Sequence, residues 1–187
     1  AGDLPEASDV AEGMRLPGGF GITTDGETIA CVRRPWSGGE GLLVARSTNS
    51  GSSWSAPERI DSTPFDDLGP GGNLVTLTDG TIVAAGEWGG NPEDERPDWA
   101  ATITRSVDGG HTWEPWRSIQ GPNADGLYFF DLRLTRLAED TLVAAFWTHD
   151  MNEDVGVNVH TSRSTDGGDT WSEPADAGFW GQVTDLH

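Results

Sequence analysis

The feature that most constrains this chain is an eight-residue motif that occurs three times at nearly constant spacing. Ser164-Thr165-Asp166-Gly167-Gly168-Asp169-Thr170-Trp171 is matched by Ser106-Val107-Asp108-Gly109-Gly110-His111-Thr112-Trp113. A looser copy is Ser47-Thr48-Asn49-Ser50-Gly51-Ser52-Ser53-Trp54. The closing tryptophans lie 59 and 58 residues apart, a regularity that marks a structural repeat. Each copy has an Arg just before it and a Pro shortly after, at Pro57, Pro115 and Pro174.

Read physically, the motif is a turn with its own fastening. Glycine accepts positive φ, and an Asp side chain bonds backbone amides two residues on, so Asp-Gly-Gly marks a tight hairpin. Thr and Trp then start the returning strand, with the indole free to cover the turn. The motif is therefore read as a structural hairpin. It does not fit a calcium loop, because the second and third carboxylates and the closing Glu are missing.

The segments between the motifs repeat as well. Inner strands are predicted at 18–24, 72–78 and 131–138. Turns follow at Thr24-Asp25-Gly26, Thr78-Asp79-Gly80 and Ala138-Glu139-Asp140. Second strands, rich in β-branched and small residues, are predicted at 28–32, 81–85 and 141–145, as suits strands buried on both faces. Third strands are expected at 41–46, 100–105 and 156–163, and a fourth after each motif. No segment shows helical periodicity. Four strands per unit with Gly-rich turns predicts an all-β chain of β-propeller blades.

The motif also resembles a known family element, the Asp box of sialidases and related bacterial neuraminidase-repeat proteins. Copies two and three match at every fixed position. Copy one carries Asn49 for Asp and Ser53 for Thr, so its hairpin is expected to be looser. The structural positions of the boxes are Ser47, Asn49, Gly51, Trp54, Ser106, Asp108, Gly110, Trp113, Ser164, Asp166, Gly168 and Trp171. The resemblance implies that the box joins a blade's third and fourth strands, away from the active site, and that the complete ring has six blades. About three are expected here, over 15–62, 63–122 and 123–178. Residues 1–14 are read as a linker or the remnant of a preceding element, and 179–187 as the start of a fourth blade. Because a propeller needs about four to eight blades to close, the chain is expected to be part of a longer propeller. The alternative is a half-ring that pairs with a second copy.

Composition excludes several partners. The chain carries 31 acidic against 11 basic residues, all of the latter Arg, for a formal net charge of -20. That field argues against nucleic acid and anionic membranes. No apolar run reaches membrane-spanning length and no signal peptide is evident, so a soluble chain is expected. The single Cys31 lies in an apolar run and is expected to be a buried thiol.

If the inner strands run from top to bottom, the boxes and Asp-Gly turns lie at the bottom. The least repetitive loops, 33–40, 86–99 and 147–155, then lie at the top, where binding groups usually sit. Arg15-Leu16-Pro17 opens the first blade and is similar to the Arg-Ile-Pro element of sialidases, whose Arg helps grip the substrate carboxylate. A guanidinium fork suits that task, although a surface Arg before a strand-starting Pro would read the same. Arg33 or Arg34 stands where related enzymes carry another pocket Arg, or pairs on the surface. Sialidases place an acid/base Asp in the next loop, but 35–41 contains none. Glu40 is the proton donor there, unless it is simply solvated.

Further candidates at the top are Asp66 and Asp67, Glu87 with Trp88, Asp131 with Arg133, His149 with Asp150, and Gln182. Of these, Glu40 and Asp67 are the catalytic candidates and the others substrate-binding ones, alongside Arg15, Arg33 and Arg34. Paired carboxylates could supply acid and base for glycosidic cleavage. Trp88, Trp99 and Trp147 offer flat faces for sugar rings. Equally, loop carboxylates in so acidic a chain are mostly solvated and several tryptophans belong to the core. His149, Asp150 and Asp154 lack metal-ligand spacing, and no metal or cofactor is expected. Tyr128, in an apolar run, is not assigned as the Tyr nucleophile that the resemblance implies for a later blade.

The reading is part of a sialidase-like glycoside hydrolase acting on terminal acidic sugars. By resemblance its mechanism would be retaining and metal-independent, with the remaining catalytic residues on blades beyond this chain. The alternative is a noncatalytic propeller that binds carbohydrate or protein.

Overall fold

The structure is a computed structural model that describes residues 19–22, 29–33, 42–61, 64–65, 68–89 and 99–181. Within these residues the chain forms three four-stranded antiparallel meanders. Blade one orders β1 (Gly19–Ile22), β2 (Ile29–Arg33), β3 (Leu42–Ser47) and β4 (Glu58–Ile60). Blade two orders β5 (Leu68–Thr76), β6 (Ile82–Trp88), β7 (Ala100–Ser106) and β8 (Arg117–Gln120). Blade three orders β9 (Leu127–Arg136), β10 (Leu142–Asp150), β12 (Asn158–Ser164) and β13 (Ala175–Trp180), with the short β11 (Val155–Gly156) continuing beside the end of β10.

The second strand of blade two shows why periodicity is weak where sheets stack. Ile82, Val83, Ala84 and Ala85 are all buried, because both faces of β6 are covered by neighbouring blades. On one face Ile82 and Ala84 pack with Leu68, Leu74 and Trp116, against Val44 and Ile60 of blade one. On the other, Val83 and Ala85 join Ala101 and Ile103, against Phe129, Leu132, Leu134, Leu142 and Phe146 of blade three. These two interblade layers are the main cores.

Polar contacts lock the same interfaces. The Asn73 amide group on β5 brackets Leu134 on β9, donating to its carbonyl at 2.6 Å and accepting from its N–H at 2.8 Å. Below, Asp140 accepts from the amide and hydroxyl of Thr78, joining one blade's turn to the next. The Arg46 guanidinium reaches from blade one to the Gly110 carbonyl in the second box at 2.9 Å. In the next interface Arg117 donates to the Gly168 carbonyl at 2.8 Å, and Arg105 pairs with Asp169 at 2.9 Å. Two of the arginines that precede the boxes, Arg46 and Arg105, thus fasten one blade to the hairpin of the next.

The boxes fold as their residues dictate. In all three, the opening serine hydroxyl accepts from the amide of the fifth residue at 2.8 Å: Gly51, Gly110 and Gly168. Asp108 and Asp166 accept from the amide and hydroxyl of Thr112 and Thr170. The first hairpin is not looser in its fastening. Asn49 Oδ1 accepts from the Ser53 amide at 2.8 Å, and its Nδ2 donates to the Ser53 hydroxyl at 2.8 Å, because a carboxamide can present the same acceptor as a carboxylate.

Strand limits depart from the sequence reading. β5 starts at Leu68 and β9 at Leu127, earlier than expected, while β6 runs on to Trp88 and β10 to Asp150. Glu87, Trp88, His149 and Asp150 are therefore strand residues rather than loop residues, and Asp131 and Arg133 lie within β9 rather than at its start. Phe179 and Trp180 do not begin a new blade. They end β13, where Trp180 pairs with Asn158 of β12, and residues 182–187 lie outside the described residues.

Candidate active site

The box hairpins and the turns at 78–80 and 138–140 share one end of the blades. A cleft of about 420 Å³ between blades two and three opens there, lined by Arg105, Glu114, Asp140, Asp166 and Asp169. The candidate site lies at the opposite end, where β6 finishes beside the middle of β9.

Glu87 is placed by strand alternation. Val83, Ala85 and Glu87 lie two apart and point to the same side of β6, so the carboxyl ends an apolar stripe that packs on blade three. Burial pushes Glu87 above the ordinary carboxylate range. The Asp131 amide and the Arg133 charge work against that shift, and the Asp131 charge adds to it. The Asp131 N–H donates to Glu87 Oε2 at 3.2 Å.

That amide is available because β9 bulges. Ala145 pairs with Arg133 but Trp147 pairs with Phe130, so Asp131 and Leu132 together oppose Phe146. Asp131 takes the extra residue's turn with φ 50. The slip reverses the alternation, which keeps Leu132 and Leu134 in the same core as Phe129. Arg133 follows, its Nη1 donating to the Leu132 carbonyl at 3.1 Å. Glu87, Asp131 and Arg133 are thereby brought together from two blades.

An aromatic row borders this cluster. Phe130 sits between Trp99, at 5.1 Å in edge-to-face contact, and Trp147, at 5.5 Å. The Trp147 ring in turn meets His149 at 5.7 Å. Trp99, Phe130 and Trp147 are all partly exposed. Tyr128 is 4% exposed and stacked on Phe130, a packing role.

Other candidates are placed elsewhere. Trp88 points away from Glu87 and packs on Phe65 in the layer between blades one and two. His149 Nε2 meets Asp154 Oδ1 at 3.2 Å, whereas its Nδ1 is buried with no hydrogen-bond partner among the described residues. Asp150 Oδ1 accepts from the amides of Asn152 and Glu153, which closes the turn after β10. Among the described residues no group of three His, Cys, Asp or Glu side chains is arranged to hold a metal ion. Arg33 ends β2, and its side chain lies outside the described ones, as do Arg15, Arg34, Glu40, Asp67 and Gln182 entirely.

Sequence reading missed the positioning role of Asn73 and the conformation of Asp131. The unbroken apolar run from Leu127 to Phe130 hid the second; only from Asp131 on do polar residues alternate with Leu132 and Leu134.

Solved structures with the same fold include propeller glycosidases. A Hadza microbial sialidase matches at 20% identity and a TM-score of 0.64, over 90% of this chain and 39% of that one. The α-L-arabinofuranosidase Arb93A of Fusarium graminearum matches at 18% and 0.62, over 87% and 49%. An α-L-arabinanase of Penicillium chrysogenum matches at 16% and 0.62, over the same shares of 87% and 49%. At these identities the likeness is one of fold, and the chain spans less than half the length of each. No curated protein sequence matches the chain. Among protein families, the BNR repeat-like domain matches residues 22–185, nearly the whole sequence, and the chain belongs to that family of bacterial neuraminidase repeats.

Proposed function

We propose that the protein carrying this chain is a sialidase-like glycoside hydrolase acting on terminal acidic sugars of glycans. The observation that carries this reading is the meeting of Glu87, Asp131 and Arg133 at the end of the blades away from the box hairpins. A carboxyl whose burial favours the protonated form suits donation of a proton to a leaving glycosidic oxygen. The neighbouring guanidinium, and Arg15 by resemblance, would hold an anionic sugar against the strongly negative field of the chain. The partly exposed rings of Trp99, Phe130 and Trp147 offer apolar faces to sugar C–H groups. Further blades, in cis or from a second copy, complete the ring and supply the remaining catalytic groups.

The test is turnover by the intact protein of a fluorogenic sialoside beside aryl arabinofuranosides and neutral hexosides. Release from the sialoside is expected, with Glu87→Gln lowering kcat by about 10²–10⁴-fold and Arg15→Ala abolishing activity. No release from any member of the panel would sink the enzymatic reading. The second reading, a noncatalytic propeller that binds carbohydrate or protein, is favoured by the lack of an Asp in 35–41. It requires glycan binding without release of sugar.

A further inference from the structure

We propose that Asp131 is a positioning residue for Glu87: its left-handed backbone aims the residue 131 N–H at Glu87 Oε2 and leaves Oε1 to meet a substrate. This rests on the reading of Glu87 as the proton donor.

The contact depends on backbone conformation rather than on side-chain reach. An ordinary strand residue at 131 would direct its amide into the ladder with β10. Here the register slips between Ala145 and Trp147, and the surplus residue is absorbed at φ 50. Asp and Asn are among the few side chains that tolerate this region. The freed amide then points across the interblade groove to β6, 3.2 Å from Glu87 Oε2.

The bulge is held from below. Leu132 and Leu134 are fully buried and cannot exchange faces without emptying the core between blades two and three. Asn73 fixes the same stretch from the neighbouring blade by binding both backbone groups of Leu134. A chain of contacts thus runs from Asn73 through Leu134 and the bulge to the Glu87 carboxyl. Among the described residues, the charged side chains that act on Glu87 are Asp131 and Arg133, both on β9. Substitution at 131 therefore changes two separable things, the charge and the amide direction.

The experiment is NMR on the intact protein labelled with ¹⁵N-Asp and ¹³C-carboxyl Glu, followed through a pH titration. The Asp131 N–H resonance is expected to move with the midpoint of the Glu87 carboxyl, and Glu87→Gln is expected to abolish that movement. Asp131→Asn and Asp131→Gly both accept positive φ and remove the charge, so the Glu87 midpoint falls. Asp131→Ala removes the same charge but resists the conformation, so its midpoint lies above those two. A purely structural role would change stability without separating these midpoints. An Asp131 N–H indifferent to Glu87 titration, or equal midpoints in the Ala, Asn and Gly variants, would overturn the proposal. If the Ala variant does not fold, the wild-type N–H titration decides. Coupling without glycoside turnover would leave the positioning intact and remove the catalytic reading. Turnover without coupling would do the reverse.

Discussion

Ser50 occupies a backbone conformation that the other two boxes assign to glycine. Its φ is 56, against 71 for Gly109 and 68 for Gly167 at the same position, and each is followed by a second left-handed glycine. Two successive positive φ values are what a tight hairpin of this twist requires. An L side chain there costs about 1–2 kcal/mol, and the added chain entropy of glycine offsets about 0.5–1 kcal/mol. Ser50→Gly is therefore expected to stabilise the protein by up to about 1 kcal/mol, read as a higher urea midpoint with unchanged m-value. At Asn49, by contrast, the sequence suggests a weakness that the hydrogen bonds do not show. An amide oxygen serves the Ser53 N–H as a carboxylate oxygen serves that of Thr112.

At the scale of elements, blade packing is set by side-chain size at the crossing points. Gly86 on β6 has no room for a side chain: a Cβ there would lie 2.6 Å from the Trp116 ring and 2.9 Å from the Thr102 hydroxyl. Trp116 is 2% exposed and cannot swing away without opening the layer between blades one and two. Gly86→Ala is expected to destabilise by about 1–3 kcal/mol through overpacking, measured by chemical denaturation. Much of the strand order was legible because turn chemistry and short apolar runs are local. The strand ends were not. Gly86-Glu87-Trp88 reads as the start of a loop, yet it pairs with Leu68 to Pro70 on one side and Ala100 to Thr102 on the other. Pairing partners distant in sequence supplied the order that local propensity lacked.

Across the whole molecule, acidity makes pH a probe of the box hairpins. Burial works against ionisation of Asp108, but hydrogen bonds from the Thr112 hydroxyl and amide, the Ser106 hydroxyl and the His111 amide outweigh it and hold the group at about 2. Asp166 is likewise held below the ordinary range, chiefly by the Thr170 hydroxyl and amide and the Ser164 hydroxyl. A carboxyl depressed in the folded state contributes its full stability above the unfolded value of about 3.9. That contribution is lost as pH falls through the folded value. Acidification also relieves self-repulsion among the 31 acidic groups, which acts in the opposite direction. The difference between wild type and Asp108→Asn largely cancels this shared effect. Between about pH 4 and 2, the urea midpoint of the wild type is expected to fall toward that of the variant. A constant gap across that window would show that the carboxylate does not fasten the hairpin. The repeat also exposes an unequal pair: Leu77 is 7% exposed beneath the third box, where a Cβ on Gly167 would lie 3.1 Å from it, whereas Leu137 at the same place in blade three is 50% exposed.

The sequence by itself determined the repeat, the four-strand grammar of each blade and the family, because a self-fastened hairpin and its spacing are encoded within a few residues. It also named Glu87, Asp131 and Arg133 among the candidates, without joining them. Only the tertiary structure decided that they meet, that Trp88 and Asp150 serve packing and a turn instead, and that Asp131 turns its amide outward. Those outcomes depend on a register slip between β9 and β10 and on burial at an interface between blades. The slip lies between neighbouring strands of one blade, but the Glu87–Asp131 contact joins residues 44 positions apart on different blades, where no local pattern can carry the information.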